Sequence, residues 1–76
     1  MKGILEFLIE RLTGSQEFEV REKRDGGDVE LQVIADPSIV GLIIGKEGKT
    51  IKTLRRILSI KAVSEQVSVN IAVNSK

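Results

Sequence analysis

Two runs of alternating apolar residues, Val29-Leu31-Val33 and Val67-Val69-Ile71-Val73, are separated by a stretch of helical periodicity that is broken once, at Gly45-Lys46-Glu47-Gly48. Alternation at period two marks half-buried strands. Strands joined through helices rather than a tight turn lie parallel in one sheet, through a right-handed crossover. The interruption is then a turn between two helices packed on that sheet.

Each side of the joint has its own signals. Upstream, Asp36-Pro37-Ser38 reads as a helix start: Asp36 is expected to accept amide hydrogen bonds as N-cap, and Pro37 suits the first helical position, where no backbone donor is missed. Ile39, Val40 and Ile43 then share one face of a short helix that ends at Gly45. Downstream, Ile51, Leu54, Ile57 and Leu58 form an apolar stripe, with Lys49, Lys52 and Arg56 on the opposite side. A turn at the start of a helix presents amide donors and the positive end of a dipole, and so attracts anions. Gly45 and Gly48 reach positive φ without a Cβ penalty and leave no side chain to hold a sugar-phosphate backbone at a distance. Lys46 and Lys49 bring cations to the same place. Two glycines three apart are, taken alone, an ordinary capping device; the cations and the flanking helices give this pair a further meaning.

The remainder of the chain reads as scaffold. Leu5, Leu8, Ile9 and Leu12 mark an N-terminal helix that Gly14 can terminate in a left-handed conformation, and Phe7 falls off that stripe. Phe18 and Val20 alternate with Glu17, Glu19 and Arg21, and Asp25-Gly26-Gly27-Asp28 is a hairpin turn into the Val29 strand. The expected fold class is α+β, in the order α-β-β-α-α-β: a three-stranded mixed sheet with helices packed on one face. One domain over residues 1–76 is expected, its glycine-turn unit spanning about 28–73 and its first helix and strand about 2–23.

Composition narrows the chemistry. At 76 residues the chain is near the size at which one core can hold a fold without a staple, and it has no cysteine to supply one. Histidine, tryptophan and tyrosine are absent too. Most of the toolkit for acid–base catalysis, thiol nucleophiles and soft metals is therefore missing, and no catalytic residue, metal site or cofactor is expected. No apolar run is long enough to span a bilayer and no signal-peptide pattern opens the chain, so a cytoplasmic protein without a membrane partner is expected.

Net charge is only +1, but it is unevenly spread. Residues 46 to 61 carry Lys46, Lys49, Lys52, Arg55, Arg56 and Lys61 against Glu47 alone, while the other bases are outnumbered by acids. Positive charge is concentrated on the element that begins at the glycine turn, the footprint of a nucleic-acid binder.

The strand, short helix, Ile43-Ile44-Gly45-Lys46-Glu47-Gly48-Lys49-Thr50-Ile51, helix and strand resemble the K-homology (KH) domain of RNA-binding proteins. The helix and strand that precede them resemble the family's type II arrangement, and the whole chain resembles small bacterial proteins consisting of a single KH domain. The resemblance implies single-stranded RNA as partner, with the turn clamping about four nucleotides of backbone while bases lie over an aliphatic groove. Carried onto this chain, Gly45 and Gly48 admit the backbone, Lys46 and Lys49 contact phosphates, Lys52 and Arg56 extend the track, and Ile43 and Ile44 fit the groove edge. Ile39, Val40, Ile43 and Ile51 are also core residues by their pattern. Glu47 places a negative charge beside the expected phosphate path.

With few phosphates neutralised and no aromatic platform, one such module implies a weak, low-specificity binder, such as an RNA chaperone or regulator. A second site would raise its avidity. Leu42, Ile44, Ile60 and Phe7 are left over from the core stripes. They support an alternative reading, a protein–protein interaction module with incidental RNA contact, as homodimer or as heterodimer with another KH-containing protein.

Overall fold

The computed structural model describes all 76 residues. Helix α1 (Lys2–Thr13) leads into strands β1 (Phe18–Asp25) and β2 (Asp28–Ala35). Helix α2 (Pro37–Ile44), a tight turn at Lys46–Gly48, helix α3 (Lys49–Ser64) and strand β3 (Ser68–Ser75) complete the chain. The order is the one expected. Strands lie β1-β2-β3 in the sheet, β1 antiparallel to β2 and β2 parallel to β3. Register is set by burial: Val29, Leu31, Val33 and Ala35 of β2 all face the helices, and a one-residue slip would turn every one of them to solvent.

The core is aliphatic throughout. Leu5 and Ile9 of α1, Ile43 of α2, and Ile51, Leu54 and Leu58 of α3 close over Val20, Val29, Leu31, Val33 and Ile71 of the sheet. No polar side chain is buried among them. Each fully buried Leu, Ile or Val contributes about 1.5–3 kcal/mol of transfer free energy, which for a chain without disulfides is the main force holding the helices to the sheet. Gly14 ends α1 in the left-handed conformation, at φ 70° and ψ 13°, and donates to the Glu10 carbonyl.

Three expectations are corrected. Asp36 does occupy the N-cap of α2 ahead of Pro37, but its carboxylate makes no capping bond. Its backbone carbonyl does the work instead, accepting from the amides of Ile39 and Val40 at 2.9 Å each. Leu12 and Ile57, placed on core stripes by spacing, are exposed. Leu12 lies in the last turn of α1, and Ile57 sits one position from Leu58, at the stripe's edge. Ala62 takes the fourth buried place on α3.

Candidate nucleic-acid interface

Helix α2 points its C-terminus, and α3 its N-terminus, at the turn between them. The reversal is made by two glycines of different kinds. Gly45, at φ 75° and ψ 177°, lies in a region of backbone space that is essentially closed to other residues. A Cβ built there would stand 2.6 Å from Thr50 Cβ and closer still to Thr50 Oγ1. Gly48, at φ 74° and ψ 14°, is left-handed and is the N-cap of α3. Its imagined Cβ would meet nothing nearer than Ile51 Cγ2 at 4.0 Å. Gly45 is therefore held both by its backbone angles and by the side chain packed beneath it, Gly48 by its angles alone.

The amides of both glycines are already committed, Gly45 to the Gly41 carbonyl at 2.9 Å and Gly48 to the Gly45 carbonyl at 3.2 Å. The glycines thus contribute shape to the turn rather than donors. Between them Glu47 is itself left-handed, at φ 56° and ψ 26°. For a residue with a Cβ that conformation costs about 1–3 kcal/mol.

Lys46, Glu47, Lys49, Lys52 and Arg56 are all exposed. The ion pairs of the molecule are Met1 amino group to Glu22, Arg21 to Glu19, and Lys61 to Glu65, so none of those five side chains is neutralised by a neighbour. Lys49, Lys52 and Arg56 follow one another at helical spacing along the face of α3 away from the core. Ile43 is fully buried and serves the core, whereas Ile44 is 38 % exposed beside the turn. The structure thus brings Gly45, Lys46, Glu47, Gly48 and Lys49 into one turn, sets Lys52 and Arg56 beyond it, and separates the two isoleucines.

Two residues join this surface that sequence reasoning did not single out. Arg55 donates from Nη2 to the Ile71 carbonyl of β3 over a long 3.5 Å, turning a cation toward the free edge of the sheet. Lys52, three residues earlier, shares that side of the helix; the spacing was a usable signal. Thr50, half-buried against Gly45, had none, because its contact arises only once the turn has closed.

The chain has no cluster of three or more His, Cys, Asp or Glu side chains that could hold a metal. No helix is long and apolar enough to cross a membrane.

Residues 2–73 match the family model described as KhpA/KhpB, KH domain. The chain belongs to that family. KhpA/KhpB proteins are a small, bacterial, single-KH-domain RNA-binding family, and the KH domain is a nucleic-acid-binding, non-enzymatic unit. A search of curated proteins finds no match. Membership of the KhpA/KhpB family sets the ligand class of the chain: RNA is the partner.

Proposed function

We propose that the protein is a low-specificity single-stranded RNA binder, an RNA chaperone or regulator, that clamps the RNA backbone at Gly45-Lys46-Glu47-Gly48. Lys49, Lys52 and Arg56 carry the phosphates onward along α3, with Ile44 at the surface of the groove and Ile43 supporting it from the core. One observation carries this reading: the glycine whose backbone angles exclude other residues opens the turn that leads into a helix on which Lys49, Lys52 and Arg56 have no carboxylate partner. The cytoplasm is the proposed location, in keeping with an RNA ligand and with helices too short or polar to span a bilayer.

The test is binding of labelled single-stranded RNA pools to the wild type and to a Lys46→Asp/Glu47→Asp double variant at two salt concentrations, with circular dichroism on both. A few single-strand phosphate contacts give a log–log salt slope of roughly −2 to −3. Loss of binding in a folded double variant supports the reading, and equal binding by both proteins sinks it.

The exposed Phe7, Leu42, Ile60 and Val63, from 51 % to 77 % accessible, favour a second role as an interaction module. Pairing as a homodimer or with another KH-containing protein would give the avidity that one weak site lacks. Sedimentation at micromolar concentration that shows only the monomer would remove the homodimer.

A further inference from the structure

We propose that Glu47 is the residue by which the turn distinguishes RNA from DNA, its carboxylate accepting a hydrogen bond from a ribose 2′-hydroxyl of the clamped strand. The inference rests on the turn being the RNA site.

A cradle for phosphate calls for donors and cations, which Lys46 and Lys49 supply. Glu47 contradicts that design twice. Its ionised side chain only accepts hydrogen bonds and repels phosphate. Its backbone is left-handed, where glycine or asparagine would sit with less strain. No direct contact within the protein offsets either penalty: the three ion pairs lie elsewhere, and no side-chain hydrogen bond reaches its carboxylate, although Lys46 adjoins it and Lys49 lies two residues on.

The chemistry of the ligand resolves the contradiction. Phosphate, ester and ring oxygens of a nucleic-acid backbone are all acceptors, and the 2′-hydroxyl, present in RNA alone, is its one donor. A carboxylate in the cradle therefore opposes DNA in full. RNA meets the same repulsion and answers it with a charge-assisted O–H···O⁻ bond. Discrimination then comes from weakening the wrong ligand rather than from tightening the right one.

The experiment compares a randomised eight-nucleotide RNA pool with the deoxyuridine-containing DNA pool of the same composition, on the wild type, Glu47→Gln, Glu47→Gly and Lys46→Asp. Glycine suits φ 56°, so Glu47→Gly folds, and thermal melts check it. The wild type is expected to prefer RNA. Glu47→Gly lowers the RNA:DNA affinity ratio about tenfold, mainly through stronger DNA binding, and Glu47→Gln, an uncharged acceptor, falls between. A 2′-O-methyl scan of the RNA weakens wild-type binding at one position and leaves Glu47→Gly indifferent to it. An equal gain for both pools in Glu47→Gly would show that the carboxylate merely repels, and would overturn the inference while the turn stands as the RNA site. So would lower melting temperatures for both Glu47 variants with an unchanged ratio, the mark of a carboxylate serving only the dipole of α3. Unaltered binding in Lys46→Asp fails the turn itself, and the inference with it.

Discussion

Gly26-Gly27, between β1 and β2, and Gly45 with Gly48, between α2 and α3, are both glycine turns with positive φ: 60° at Gly26, 75° and 74° at the helix joint. At the hairpin a Cβ on either glycine would meet open space, and the flanking residues are Asp25 and Asp28. At the helix joint Gly45 is backed by Thr50, and Lys46 and Lys49 flank the reversal. One turn uses glycine only to reverse the chain; in the other, Gly45 also makes room for Thr50 to pack against the backbone. The concavity beside the hairpin, among Lys23, Asp25, Asp28 and Glu30, has three carboxylates against one ammonium, and so repels the anions that the helix joint attracts.

Replacing the glycines by alanine should separate the two turns most sharply. Gly45→Ala places a Cβ against Thr50 in a region that alanine avoids, and is expected to cost about 3 kcal/mol, lowering Tm by about 12–24 °C. Gly26→Ala adds only the left-handed penalty, about 1–2 kcal/mol. Equal losses in thermal melts would mean that Thr50 moves aside and that the distinction between the turns is false.

Charge reversal sharpens the contrast from the functional side. Lys46→Asp is expected to weaken RNA binding at least tenfold and to reduce the salt slope by about 1, with the fold unchanged by circular dichroism. The same reversal beside the hairpin, Lys23→Asp, should leave affinity within about twofold. If Lys23 mattered as much as Lys46, binding would follow overall charge rather than the turn. Gly48→Ala sits between these cases, costing about 1–2 kcal/mol for its angles with no clash to add. Gly48→Asn should cost less, because asparagine tolerates the left-handed region better.

Period and punctuation made most of the fold legible. Val29-Leu31-Val33 and Val69-Ile71-Val73 alternate cleanly, Gly14 and Pro37 mark their helix boundaries, and a parallel β2–β3 pair follows once two helices intervene. Packing decided what the pattern could not. Leu12 and Ile57 fit a periodic stripe, yet a stripe has edges, and only the position of the neighbouring helices shows where they fall. Asp36 has the right side chain for a cap, but its backbone carbonyl was enough. At the joint, the sequence showed the glycines and cations directly, whereas the left-handed Glu47 and the contact of Thr50 with Gly45 exist only in the closed turn. Arg55 was visible in the charge count, and its aim at β3 was not.

The smallest expected effect concerns the hairpin acids themselves. The amide of Ser68, just past the C-terminal end of α3, donates to the Gly27 carbonyl at 2.7 Å, so the hairpin adjoins one end of that helix while the residues of the proposed clamp occupy the other. Helix α3 has 16 residues, which at 1.5 Å per residue keeps the two turns on the order of 24 Å apart. That is about three Debye lengths at physiological ionic strength. Asp25→Asn/Asp28→Asn should therefore change RNA affinity by less than about 1.5-fold at 0.15 M salt. At 0.01 M the Debye length grows to about 30 Å, the two acids come within range of the ligand, and their removal should raise affinity measurably. An effect of the same size at both salt concentrations would indicate that RNA touches the hairpin, and that the clamp between α2 and α3 is only part of the contact.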